Sequence, residues 1–160
     1  MFKIFEKDKA FSLIGVIVTI FIVSVGLMGV LGLSDTSLKG AALSENRLIA
    51  SGLAQEGIEI IKNIRKSNME WDDWHSSVVD GNYRVQYDSS SLMVFSETPL
   101  KLNLASGLYQ YDSGNNSIFY RKVALTKISD HEVKVVVEVK WLLKGAQRVL
   151  TVEDRLWNWK

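Results

Sequence analysis

Asp72, Asp73 and His75 stand close together in the chain, and two carboxylates beside an imidazole are the donor set of a divalent-cation site. Asp112, Asn115 and Asn116 offer oxygen ligands of the calcium-binding kind, but their spacing misses the helix-flanked calcium loop. The first group reads as solvated loop side chains and the second as a turn rich in Asp, Gly and Asn. Ser12, Ser76 and Ser77 carry hydroxyls, yet no serine, histidine and acid fall into a signature of nucleophilic catalysis. Gly26, Gly29 and Gly32 lie inside an apolar run, not between a strand and a helix where glycines cradle phosphate. The chain has no cysteine, which excludes disulfides, thiolate metal sites and thiol nucleophiles. The chain is therefore expected to be no enzyme and to carry no metal and no cofactor.

Function must then rest on the elements. The length of 160 residues fits one domain plus one appended element. With 19 Lys and Arg against 18 Asp and Glu, the net charge of +1 supplies no basic footprint for nucleic acid, so no nucleic-acid partner is expected.

The apolar residues are unevenly spread. From Phe11 to Leu33, 23 consecutive residues carry no charge. At ~1.5 Å per residue, about 20 apolar residues cross a hydrocarbon layer of about 30 Å, so this run is long enough to span. It exceeds the apolar part of a secretory signal, and Ser34-Asp35-Thr36-Ser37 after it makes a poor cleavage site. A retained single-pass helix is expected, with a cleaved signal or a buried core helix as the alternatives. Lys3, Lys7 and Lys9 precede the run, whereas only Lys39 follows closely. Lys and Arg near a span stay cytoplasmic, which puts the N-terminus in the cytoplasm and exports the remainder.

Past the run, apolar residues keep helical spacing to about Ser67. Ile49, Leu53, Ile60 and Ile64 share a face, with Ala54, Ile58 and Ile61 beside it. Residues 12 to 67 can form one helix of about 80 Å, with a bend possible at Gly40. The segment 68–82, with Trp71 and Trp74 among acids, reads as a connecting loop. Segments 83–88 and 92–97 read as a hairpin, 101–111 as another strand, and 112–117 as a turn. The strongest strand patterns are 117–129, 132–143 and 147–159, a meander whose middle strand alternates Val133, Val135, Val137, Val139 and Trp141 with mostly polar neighbours. Its dry face needs a cover, and the Ile49–Ile64 stripe can provide it. The fold class is α+β, a long N-terminal helix on a C-terminal antiparallel sheet. Of the tryptophans, Trp141 reads as core. Trp157 and Trp159, two apart on one strand face, are the candidate interface.

A charged leader ending Lys9-Ala10, then Phe11-Ser12-Leu13-Ile14, then an unbroken apolar helix, resembles the N-terminus of type IV pilins and type II secretion pseudopilins. The run Gly26-Leu27-Met28-Gly29-Val30-Leu31-Gly32-Leu33 and the later stretch Leu53 to Arg65 are similar to V-type minor pilins. The resemblance covers about residues 3 to 66 and implies four parts: leader 1–10, assembly half 11–33, amphipathic half 34–67 and head 68–160. It implies cleavage between Ala10 and Phe11 by a prepilin peptidase, N-methylation of Phe11, and assembly into a fimbrial filament of the kind that serves cell adhesion. The implied partners are other pilin subunits, the peptidase, membrane lipid and, indirectly, an assembly ATPase and a platform protein. Two positions depart from the family. Ala10 replaces the usual glycine before the cut but keeps a small residue. Gly15 replaces the usual glutamate, whose carboxylate would pair with a neighbouring subunit's N-terminal amine. A subunit without it suits a rare place, such as the tip, better than a repeating shaft. Gly15, Gly26, Gly29 and Gly32 are the positions where helices can approach closely in a filament, and Gly32 stands where many pilins carry a helix-loosening proline.

Overall fold

The computed structural model describes residues 5–67 and 70–158, with side chains from residue 13. In chain order the elements are helix α1 (Phe5–Ser67), helix α2 (Trp71–Ser77), and strands β1 (Gly81–Arg84), β2 (Met93–Val94), β3 (Lys101–Asn103), β4 (Leu108–Gln110), β5 (Asn115–Asn116), β6 (Phe119–Ser129), β7 (Glu132–Leu143) and β8 (Ala146–Trp157). The chain divides into two compact units, Met1–Ser44 and Glu45–Lys160.

In the first unit the described helix includes Phe5 onward, so it takes in part of the segment expected to be a leader and does not start at residue 12. No proline interrupts it. Its polar side chains turn back on the helix: the Thr19 hydroxyl donates to Gly15 O (2.8 Å), Ser24 to Ile20 O (2.7 Å) and Thr36 to Gly32 O (3.0 Å). Such back-bonding satisfies hydroxyls without water, as a hydrocarbon environment demands.

The second unit is α+β. Its main sheet has strand order β2-β1-β6-β7-β8, and all its pairs are antiparallel. The part of α1 that lies in this unit covers the sheet. Ala50, Leu53, Ala54, Ile58, Ile60, Ile61 and Ile64 are buried against Val123 and Leu125 of β6 and Val133, Val135, Val137 and Val139 of β7. Burial of large aliphatic side chains at ~1.5–3 kcal/mol each makes this layer the principal source of stability. Gly57 faces β7 so closely that a Cβ there would lie 3.0 Å from Val137 Cγ1. Glycine lets helix and sheet approach.

Two expectations need correction. The segment after α1 is not a plain loop: α2 turns Trp71 and Trp74 to one side, where both are buried with ring centroids 5.3 Å apart. The Trp71 indole N–H donates to Asp130 O (2.7 Å). Asp72 and Asp73 occupy the first turn, where the helix dipole favours acids, so their polarity marks a helix start and not a solvated loop. The region 101–117 is likewise a second sheet, ordered β4-β3-β5, with β5 lying inside the expected turn. Gly114 permits it, with φ +116° and a would-be Cβ 2.6 Å from Leu102 O.

Candidate functional site

Helix and sheet meet on a buried cation. Arg121, on the inner face of β6 and 1% exposed, sends Nη1 to Leu53 O of α1 (3.0 Å) and Nη2 to Val85 O (2.6 Å). Its Nη1 also lies 3.3 Å from a Glu56 carboxylate oxygen, which keeps some solvent access. One guanidinium thus ties α1, the segment after β1 and β6 together. Gln86, also buried, extends the tie. Its amide donates to Asp88 (2.9 Å) and Asp112 (2.6 Å), and its carbonyl accepts from Tyr111 N–H (2.9 Å). Burial raises the Tyr111 phenol's pKa, and its hydroxyl donates to Arg121 O (3.3 Å). Neither Arg121 nor Gln86 is a candidate of the sequence reading. The signal was present, since Phe119, Arg121, Val123 and Leu125 share one parity in β6.

A second junction joins the last turns of α1 to β8. Lys62 Nζ lies 2.8 Å from Asp154 and 3.7 Å from Glu59. The hydrogen bond from Lys62 holds the Asp154 carboxyl below its usual range, and the same bond raises Lys62. Arg65 lies over the Trp71 ring, 5.4 Å from its centroid, and donates to Trp157 O (3.4 Å). Lys62, Arg65 and Lys66 of α1 line a surface pocket of about 320 Å³ with Asp154 to Trp157 of β8. Trp157 itself is 49% exposed, on the face of β8 away from α1, whereas Trp141 is core. Trp159 lies outside the described residues.

The side chains of metal-donor type are engaged elsewhere. His75 packs on Trp71 at 5.8 Å between centroids, and its Nε2 lies 3.2 Å from Ser129 O. Asp112 accepts from Gln86, while Asn115 and Asn116 pair with β3 through their backbones. No group of three or more His, Cys, Asp or Glu among the described residues is placed to hold a metal ion.

The residues expected to serve cleavage and helix packing lie on α1. Ala10 and Phe11 are helical in backbone, and their side chains fall outside the described ones. Cβ atoms built at Gly15, Gly26, Gly29 and Gly32 would meet nothing within 4 Å, so within one chain these glycines pack against no neighbour. From Leu13 onward α1 carries the one stretch among the described residues that is long and apolar enough to cross a membrane. Its side chains lie bare, Phe21, Met28 and Leu33 among them. What the described residues offer is an uncovered apolar helical stretch in the first unit and, in the second, a sheet packed on the later turns of α1. No family model, no curated protein and no solved structure matches the chain.

Proposed function

We propose that this chain is a structural, minor pilin-like subunit, held in a membrane by α1, cut between Ala10 and Phe11, and built into a type IV pilus-like filament. One observation carries this: a charged leader and an uncharged 23-residue run stand on the same helix whose later turns form the spine of an antiparallel β-sheet head. The bare side chains from Leu13 to Leu33 need lipid before assembly and other helices after it. Gly15 in place of a pairing carboxylate favours a rare position such as the filament tip. The head would be exported, at the cell surface or in the periplasm. A pseudopilin of a secretion or DNA-uptake machine would share every one of these features. A single-pass surface-binding protein that never polymerises would keep its leader.

Intact mass and N-terminal peptide analysis of the protein from its native membrane test the proposal. N-methylated Phe11 at the mature start is the expected result. A start at Met1 overturns processing and leaves a membrane-anchored surface protein.

A further inference from the structure

The two edges of the main sheet match each other. β7 and β8 pair over twelve residues without a register shift. Asn158 N–H donates to His131 O (2.9 Å), which makes Glu132–Trp157 a pair without hydrogen bonds between its members. The odd-numbered residues of β8 therefore turn N–H and C=O away from β7. At the end of the strand the chain's own side chains take up these groups: Asp154 accepts from Arg155 N–H (2.8 Å), and Arg65 donates to Trp157 O (3.4 Å). From Gln147 to Glu153 the edge is open among the described residues. Proteins usually blunt such an edge with charges, proline or a bulge. β8 has no proline and no bulge. Its charges are Arg148 near its start and Glu153, Asp154 and Arg155 near its end, and Val149 to Val152 between them carry none.

The opposite edge is β2. Phe95 N–H donates to Asn82 O (3.2 Å), so Val94 also turns its N–H and C=O outward. Val94, Tyr83, Val123, Val137 and Val152 stand side by side across all five strands, on the face that α1 covers. Val123 and Val137 in the middle of this row are fully buried, while Val94 at its end is 81% exposed. Because every neighbouring pair is antiparallel, β2 and β8 run in the same direction. From Val85 to Leu100 the only charges are Asp88 and Glu97, whereas Lys144 and Arg148 flank the start of β8.

We propose that β8 of one copy pairs in parallel with β2 of a second copy, so that the sheet runs on from head to head. Val94 N–H of the second copy donates to Thr151 C=O, Glu153 N–H donates to Val94 C=O, and Val94 sits beside Val152. This is the bonding pattern of a parallel bridge, and it covers the exposed valine. In this register Asp88, ahead of β2, falls on the side of Lys144 and Arg148, and Glu97, beyond β2, falls near Arg155. The copies share one orientation, with α1 on the same face of each, and the contact repeats head to tail. The proposal rests on the reading of α1 as a membrane span, which would hold neighbouring copies in one orientation, and it needs no repeating filament shaft.

The absence of cysteine makes the test direct. The full-length double variant Val94→Cys with Val152→Cys, oxidised mildly in its native membrane, should give a ladder of covalent multimers. An internal bridge is out of reach, because the edges are four strand spacings, about 19 Å, apart and a disulfide spans a Cα distance of about 7 Å at most. Glu153→Pro in that background should abolish the ladder and lower the melting of the head only slightly, since it removes a donor used by no strand of its own chain and an exposed pair with Arg155 (3.3 Å). Dimers from Val152→Cys alone would mean that two β8 strands face each other, and would overturn the proposal. Absence of a ladder overturns it whichever N-terminus the same sample shows. A ladder with a Met1 start supports the edge contact and sinks the filament reading. A Phe11 start without a ladder does the reverse.

Discussion

Arg121 owes its place to geometry that a lysine cannot reproduce. Its two terminal nitrogens reach carbonyls on opposite sides, Leu53 and Val85, while Glu56 balances the charge from the rim. Arg121→Ala strands Glu56 and leaves the Val85 carbonyl without its donor. We expect a loss of about 3 kcal/mol in urea unfolding of the detergent-solubilised chain. Arg121→Lys should recover little of it, and Glu56→Gln should cost only about 1 kcal/mol. Two glycines make a second comparison. Gly52 has open space around a built Cβ, so Gly52→Ala should stabilise by up to about 1 kcal/mol through helix propensity. Gly57→Ala drives a methyl against Val137 and should lower the melting temperature, and Val137→Ala in the same chain should restore part of the loss.

At the scale of elements, α1 and β8 are joined by an ion pair whose strength follows pH. The depressed Asp154 contributes stability above the unfolded carboxyl value of about 4 and loses it as pH falls through the folded one. The raised Lys62 contributes below about 10.4 and loses it as pH rises through its folded value. Both side chains are about one-third exposed, so the pair is worth no more than about 1 kcal/mol. Asp154→Asn should flatten the acid limb of the melting-temperature profile below about pH 4 and leave the neutral region nearly level. On β7, burial pushes the Glu138 carboxyl up, but hydrogen bonds from Lys122 and Lys140 outweigh it and hold the group low. In the first unit Gly29 touches nothing, so Gly29→Leu should leave the melting of the head unchanged. If α1 helices approach one another at this glycine, as the filament proposal holds, the same variant should weaken their cross-linking in membranes.

Across the whole molecule, legibility followed periodicity. The meander β6-β7-β8 was readable because eleven- and twelve-residue strands with one dry face repeat the period of two many times. The Ile49–Ile64 stripe was readable for the matching helical reason. The strands β3, β4 and β5, two or three residues each, are too short to show any period, and their sheet is held by Gln86 and a glycine turn. The helix α2 was hidden by its acids, which masked two core tryptophans. Arg121 was hidden by its charge. Gly15, Gly26, Gly29 and Gly32 were visible as spacing alone, and within the chain nothing packs against them. For Gly15 the expectation is specific: Gly15→Glu should move the subunit from rare sites into the shaft, counted by immunogold labelling along purified filaments. Unchanged rarity would mean that the missing carboxylate does not set its position.

The order in which the chain is made adds a consequence in time. The inner face of β7 completes its surroundings only when β8 has arrived, and the α1 residues that cover it come some seventy to ninety positions earlier in the chain, as in the Leu53–Arg121 and Arg65–Trp157 bonds. Contacts of such long sequence separation wait for their later partner to be made, and closing them late slows folding. Until its final strand emerges, the head therefore lacks one wall of its sheet, and β7 is left as a temporary edge.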